Sequence, residues 1–242
     1  MNTIDNKTVA EVVAENIKTA HVFKKYGIDF CCGGGVTIDK ACEKKNLDYA
    51  KLKQELLNVD EAPKAYNYNA WSLDFLIDHI LNVHHAYVVE SIPLILQYSN
   101  RVAEVHGHHY SEVIEIHKLF SEVANELTSH MKKEEMVLFP YIKNLLHHKN
   151  EKKLLNLPPF GSVNNPIAMM ESEHEAVGDI FKEIAKLSNN YTTPEDACNT
   201  FKALYAALDE FEQDLHQHIH LENNILHPKA KKLEKDVIST NN

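Results

Sequence analysis

The sequence carries one pattern twice. Ser129–Leu145 reads SHMKKEEMVLFPYIKNL, and Gln217–Leu233 reads QHIHLENNILHPKAKKL. Both stretches keep His, Glu, Leu, Pro and Leu in the order H-x3-E-x3-L-x-P-x4-L, 88 residues apart. Residues four apart in an α-helix lie on one face, about 40° apart around the axis. The doubled pattern therefore predicts two equivalent helices, each presenting one imidazole and one carboxylate side by side.

The sequence around these two stretches predicts four long amphipathic helices, at about 72–104, 110–148, 166–187 and 194–233. The segments between them, HGHH, LPPFGSVNNP and SNNYTTP, contain the Gly, Pro, Asn or Ser residues that interrupt helices. No segment has the alternating pattern of a β-strand. Because short connections favour antiparallel neighbours, we predict an all-α fold in which residues 71–242 form an antiparallel four-helix bundle.

A small helical domain is predicted ahead of the bundle, over residues 1–58. Thr8 followed by Glu11 is the pattern of a capping box, and a second short helix is expected to end at Gly27. Residues 59–70 contain a proline and show no clear period, which predicts a linker between the two domains.

The repeat extends to the two bundle helices that lack the quoted pattern. His85 and His174 are 89 residues apart, nearly the spacing of His130 and His218. The bundle is therefore predicted to consist of two helical hairpins, each contributing a His from its first helix and H-x3-E from its second. His84 has the same kind of apolar neighbours as His85, so helical geometry alone leaves both as candidates.

Four imidazoles and two carboxylates that meet in a bundle core form a donor set for two metal ions. Each carboxylate can bridge the two ions, and two imidazoles can bind each ion. With an oxo or hydroxo bridge between the ions, each ion still has room in its coordination shell for a small ligand. This mixed donor set suits non-haem iron, because structural zinc sites are richer in thiolate. The expected cofactor is therefore two iron ions per chain.

Two acidic residues are candidates to support these ligands. Glu126 and Asp214 each stand four residues before a candidate His, on the same helical face. Either could accept the free imidazole N–H and so fix the tautomer, although a solvated acid on the helix surface is an equal alternative. His220 and His227 lie off the face of the ligands, and we expect them at the surface or in the outer shell of the site.

The glycine-rich stretch CCGGG contains the adjacent pair Cys31 and Cys32. The pair is interpreted as a redox or metal-handling thiol pair, and a buried structural pair in a tight turn is the alternative. Cys42 and Cys198 are expected to fill the core.

The composition limits the partners and the compartment. With 25 basic and 35 acidic residues, the net charge of −10 argues against nucleic acid and anionic membranes. Apolar runs are too short for a membrane span, and the N-terminus lacks the pattern of a signal peptide. Four cysteines in 242 residues indicate a reducing compartment, so we expect a cytoplasmic protein. The 16 histidines are unusually many, and His is the commonest metal-binding side chain.

Several of these stretches resemble one bacterial family, the ScdA-like proteins that repair iron centres. YGIDFCCGGG resembles the N-terminal domain of that family, while SHMKKEEMVLFP, MESEHEAVG and HIHLENNILHP resemble its hemerythrin-like domain. The family pattern D-H-x5-H falls on Asp78, His79 and His85, which favours His85 over His84. The ligands implied by the resemblance are His85, His130, Glu134, His174, His218 and Glu222.

The resemblance also implies a function. A di-iron centre in a hemerythrin-like bundle would help to restore iron–sulfur clusters damaged by nitric oxide or oxidants, so the expected partners are damaged iron–sulfur proteins and a small ligand, nitric oxide or oxygen. Reduction of nitric oxide by the protein and donation of iron are both left open, as is a homodimer. The alternative function is a hemerythrin-like module that senses oxygen or redox state.

Overall fold

The computed structural model describes residues 4–59, 66–151 and 158–240, without the side chains of residues 150, 151 and 240. Within these ranges the predicted all-α fold is confirmed: the regular elements are helices, and the one β-type contact is an isolated bridge between Thr8 and Thr37. No helix in the described part of the chain is long and apolar enough to cross a membrane.

Four short helices form the N-terminal part of the fold. They are α1 Val9–Glu15, α2 Ala20–Lys25, α3 Ile38–Lys45 and α4 Tyr49–Leu57, with a 3-10 turn over Ile17–Thr19. The predicted capping box is present, because the Thr8 hydroxyl accepts from the Glu11 N–H while the Glu11 carboxylate accepts from the Thr8 N–H. Helix α2 ends before Gly27, whose φ of +63° is a conformation that favours glycine.

Four long helices form the bundle, and three of them contain a π-helical segment. Their bounds are α5 Leu73–His79, π segment Ile80–His85 and α6 Ala86–His106 for the first; α7 Glu112–Lys133, π segment Glu134–Leu138 and α8 Phe139–Glu151 for the second; α9 Asn164–Leu187 for the third; and α10 Asn199–Leu221, π segment Glu222–Leu226 and α11 His227–Thr240 for the fourth. Helix α6 packs on α7 and α10, and α7 packs on α9.

The predicted start of the fourth bundle helix was wrong. Pro194 does not open the helix: its carbonyl accepts from the Ala197 N–H at 3.1 Å, which closes a tight turn, and α10 begins only at Asn199. Cys198 stands just before α10 and is exposed, so its prediction as a core residue was also wrong. Cys42 is buried, as expected.

Two separate apolar clusters fill the bundle. The larger cluster contains the ring contacts of Phe120 with Phe211, at 5.4 Å between centroids, and of Phe181 with Phe211, at 5.7 Å. The smaller cluster lies at the other end and includes Ile142 and Leu226. In each bundle helix, the sequence passes from one cluster to the other at the position of the candidate metal ligands. A belt of polar side chains therefore separates the two cores.

The N-terminal helices share the larger apolar cluster, which includes Phe23 and Ile38 beside the bundle residues. Lys24 also pairs with Asp209 at 3.2 Å and with Glu212 at 2.6 Å on α10. The predicted domain boundaries stay a prediction, and part of the predicted linker, residues 60–65, lies outside the described residues.

Candidate metal centre

Six polar side chains from all four bundle helices meet in the belt between the two apolar clusters. All six are at most 2% exposed. They form two overlapping groups of four, within each of which the possible ligand atoms lie within 4.8 Å of one another. The first group is His85, Glu134, His218 and Glu222, and the second is His130, Glu134, His174 and Glu222. The two carboxylates belong to both groups, whereas each imidazole belongs to one.

The distances within the groups suit a shared cation. Nε2 of His85 and Nε2 of His130 both lie 3.3 Å from Oε2 of Glu134. Glu222 also contacts two imidazoles, through one oxygen each: Nε2 of His174 lies 3.2 Å from Oε2, and Nε2 of His218 lies 3.0 Å from Oε1. Neighbouring donors bound to one ion at about 2.1 Å and about 90° to each other would be about 3 Å apart. The side chains are therefore spaced like ligands of a metal ion.

The ionised carboxylates of the belt favour binding of a cation. Burial and the charge of Glu222 raise the pKa of Glu134, but His130 and His85 outweigh them and bring it to about 2. Burial lowers the pKa of His130, but Glu134 and Glu222 outweigh it and raise the pKa to about 9. No well-formed hydrogen bond from the described residues reaches either carboxylate oxygen of Glu134. Ionised, buried carboxylates with free oxygens are what a cation requires.

The π-helical segments coincide with the belt. His85 is the last residue of the first segment, and Glu134 and Glu222 are the first residues of the other two. A π turn holds an additional residue relative to an α turn and is frequently found at functional sites. The segments thus alter the direction of the helix face where candidate ligands project. Periodicity in the sequence gave no indication of them.

Three of the four imidazoles are oriented by a partner on the side away from the belt. Nδ1 of His85 lies 2.8 Å from Glu135, Nδ1 of His130 lies 2.9 Å from Glu173, and Nδ1 of His174 lies 2.9 Å from the Asn223 side-chain oxygen. These acceptors favour the tautomer with a proton on Nδ1, which leaves the Nε2 lone pair facing the belt. The imidazoles are therefore held as metal ligands usually are.

Comparison with known proteins agrees with this geometry. Residues 76–230 match the hemerythrin HHE cation binding domain, and residues 5–60 match ScdA_N, a domain of unknown function also called DUF542. A probable iron-sulfur cluster repair protein of Haemophilus influenzae is 35% identical over 86% of this chain and 89% of its own length. The iron-sulfur cluster repair proteins YtfE of Enterobacter sp. strain 638 and Escherichia coli O157:H7 are each 34% identical over 93% of this chain and 96% of theirs.

The chain belongs to the iron–sulfur cluster repair protein family. The predicted resemblance is thereby confirmed, for the ScdA-like N-terminal part as well as for the hemerythrin-like bundle. A cation-binding domain with a buried cluster of His and Glu agrees with iron as the metal of this family member.

The predicted supporting acids are not the ones that the structure places beside the ligands. Glu126 is exposed, and Glu173 from the neighbouring helix takes the position beside His130. Asp214 does accept from an imidazole, but from that of His84 at 2.8 Å instead of His218. An acid four residues before a His lies one turn away along the same helix, whereas Nδ1 of His130 and Nδ1 of His84 each point toward a residue on another helix. Partners from other helices are therefore better placed.

The remaining histidines differ from the expectations in part. His84 stays outside both groups of four and stacks on His218 with 5.4 Å between centroids. His220 and His227 are fully buried, so the expected surface position was wrong for both and the outer-shell alternative fits. His227 stacks on His174 at 6.3 Å, and His220 lies at 6.1 Å from the ring of Phe30. Burial against the turn between α2 and α3, which contains Phe30, explains why sequence periodicity misplaced His220.

The cysteine pair lies beside the belt. Cys31 is buried and Cys32 is half-buried, and both are free thiols with 3.9 Å between their sulfur atoms. The amide nitrogen of Asn223 lies 3.9 Å from the Cys32 sulfur, while the amide oxygen of the same side chain faces His174. One side chain thus connects the pair to a candidate ligand. Sequence reasoning missed Asn223, which follows the second H-x3-E directly.

Replacement of Glu173 by glutamine tests the orientation of His130. The variant removes the charge that accepts from His130, and loss of such a partner lowers metal affinity by roughly 10–100-fold. The measurement is a competition between the protein and a chelator for iron(II). Glu183 is the matched control, because it is an acid on the same helix that pairs with Lys186 and belongs to neither group of four, and its glutamine variant is expected to retain affinity. Equal affinities of both variants would contradict the role of Glu173.

Proposed function

We propose that this chain is a di-iron protein that repairs iron–sulfur clusters damaged by nitrosative or oxidative stress in the cytoplasm. The proposed ligands are His85, His130, Glu134, His174, His218 and Glu222. The observation that supports two ions is the sharing of both carboxylates between the two groups of four. A single ion would use one group and would leave the two imidazoles of the other group without a metal ion.

The residues of the belt define what the site does. Glu134 and Glu222 remain ionised and hold the charge of the cations, while the imidazoles present Nε2 as neutral donors when metal displaces their protons. Leu138, Phe139 and Leu226 are at most 2% exposed and keep bulk water from the belt. A pair of ferrous ions would supply electrons and open positions for a small ligand such as nitric oxide or oxygen.

The names of the relatives support repair as the function. The proteins from Haemophilus influenzae and Escherichia coli are named for iron–sulfur cluster repair, and this chain matches nearly their whole length. The partners proposed for this chain are accordingly damaged iron–sulfur proteins. Donation of iron and reduction of nitric oxide are two routes to repair that the same six ligands support.

An anaerobic repair assay tests the proposal. An aconitase-type enzyme with a nitric oxide-damaged cluster is incubated with iron-loaded protein, with metal-free protein, or with an equal amount of free iron(II). We expect the loaded protein to restore activity faster than free iron does, and the Glu222→Ala variant to lose this advantage. Recovery no faster than with free iron would contradict repair.

Gas analysis separates the two routes. Formation of nitrous oxide from nitric oxide by the loaded protein would indicate reduction, whereas transfer of labelled iron into the damaged cluster would indicate donation. A long-lived oxygen adduct without either activity would instead favour an oxygen-sensing module.

A further inference from the structure

A second cluster of metal-binding groups lies outside the His/Glu belt, in the turn between α2 and α3. Asp29, Cys31 and Cys32 place one carboxylate oxygen and two sulfur atoms within 4.8 Å of one another. None of the three belongs to the two His/Glu groups. Sequence reasoning identified the two cysteines but not Asp29.

The backbone of the turn wraps around the Asp29 carboxylate. One carboxylate oxygen accepts from the Cys31 N–H and the Cys32 N–H, at 3.0 Å each, which brings both thiols to the same side as the carboxylate. Gly34 is required for this path, because a Cβ at that position would stand 2.3 Å from the carbonyl oxygen of Phe30. Gly34 of CCGGG thus permits the geometry of the cluster.

The separations fit the corners of a tetrahedron. The two sulfur atoms are 3.9 Å apart, and the Cys31 sulfur is 3.3 Å from the Asp29 oxygen. An ion with sulfur ligands at about 2.3 Å and an oxygen ligand at about 2.0–2.2 Å, at tetrahedral angles, would separate these atoms by about 3.5–3.8 Å. Small side-chain adjustments therefore suffice to place all three atoms around one ion.

The charges of the cluster are compatible with a cation. Burial raises the pKa of the Asp29 carboxyl, but hydrogen bonds outweigh burial and lower that pKa below its ordinary value, so the carboxylate is ionised. The donors are the backbone N–H of Gly33, the Cys31 thiol and the backbone N–H of Cys32. A hydrogen bond with Cys32, burial and the charge of Asp29 raise the pKa of the Cys31 thiol well above its ordinary value. A bound divalent cation would displace the thiol proton and offset the charge of the thiolate and the carboxylate.

The cluster opens into a cavity of about 890 Å³. The wall of this cavity also carries Glu175 and His216. Burial lowers the pKa of His216, so its imidazole is neutral at physiological pH. A fourth ligand can therefore come from solvent or from the wall of the cavity, as in zinc sites that keep one open position beside three protein ligands.

We propose that Asp29, Cys31 and Cys32 form a second metal site, which binds one borderline-soft divalent cation, Zn²⁺ or Fe²⁺, with an open fourth position. Thiolate ligands select such cations over Mg²⁺ and Ca²⁺. The site is distinct from the His/Glu belt in its donor atoms, and it does not depend on the repair function.

Titration of the reduced, metal-free full-length chain with Co²⁺ tests the proposal. Thiolate bound to Co²⁺ gives a charge-transfer absorption in the near ultraviolet, which the His/Glu belt cannot produce because it has no sulfur donor. We expect this absorption in the unmodified chain, and its loss in the Cys31→Ser and Cys32→Ser variants. Excess Zn²⁺ is expected to abolish it, and excess Mg²⁺ is expected to leave it unchanged.

Two further variants serve as controls. Asp29→Asn keeps an oxygen that accepts from the turn N–H groups but removes the charged ligand, so we expect at least roughly tenfold weaker Co²⁺ binding. Cys198→Ser removes a distant, exposed thiol and is expected to change nothing. Circular dichroism verifies that each variant is folded. Absence of the absorption with all four thiols reduced, or its persistence in both Cys31→Ser and Cys32→Ser, would overturn the proposal.

Discussion

Glu222→Ala is expected to purify with almost no iron, whereas His85→Ala is expected to keep about half of the roughly two ions per chain expected for a di-iron bundle. The reason is that the two side chains differ in how many of the two groups of four possible ligands they belong to. Glu222 belongs to both groups of four, and His85 belongs to only one. Iron per chain is measured by elemental analysis after anaerobic loading and desalting, with every variant made in a Cys31→Ser/Cys32→Ser background so that only the bundle holds iron.

The matched control for Glu222→Ala is Glu210→Ala, an exposed acid on the same helix, which should retain the full iron content. Similar iron loss in Glu222→Ala and His85→Ala would contradict the shared-carboxylate arrangement. Full iron in both variants would contradict the assignment of these ligands.

Removal of the metal is expected to lower the melting temperature by about 8–16 °C. A ligand at 1,000 times its Kd stabilises the folded state by about 4 kcal/mol, and 1 kcal/mol shifts the melting temperature of a protein of this size by about 2–4 °C. Without a cation, the belt keeps two buried carboxylates whose mutual repulsion opposes folding. The measurement is thermal unfolding with iron(II) and again with excess chelator, both under nitrogen.

In the same Cys31→Ser/Cys32→Ser background, the difference between the two melting temperatures should vanish in Glu222→Ala and persist in Glu210→Ala. A chelator that lowers the melting temperature of both variants equally would mean that it acts elsewhere in the chain.

The sequence predicted the parts of the site that depend on spacing within one helix. His130 with Glu134, and His218 with Glu222, are neighbours because four residues make about one helical turn. The internal repeat extended this reasoning to His174. These side chains do meet, because the bundle turns the corresponding faces of all four helices inward.

Features that depend on how helices face one another were not predicted. Glu173 and Asn223 reach their imidazoles across helix boundaries, and no spacing in one helix encodes such a contact. The π segments change the rotation of three bundle helices at the belt, which helical periodicity does not indicate. Glu126 stays exposed because Nδ1 of His130 is turned toward Glu173 on α9. Burial of His220 depends on where the turn between α2 and α3 packs on the bundle, a contact between residues far apart in the sequence.

The polar belt has a consequence for cooperativity. In each bundle helix the chain passes from one apolar cluster to the other across the candidate ligands, so the two cores meet there through charged and polar groups. Apolar burial stabilises each core separately, while a cation bound by all four helices would join the halves. Whether the bundle opens as one unit or one end at a time then depends on the metal.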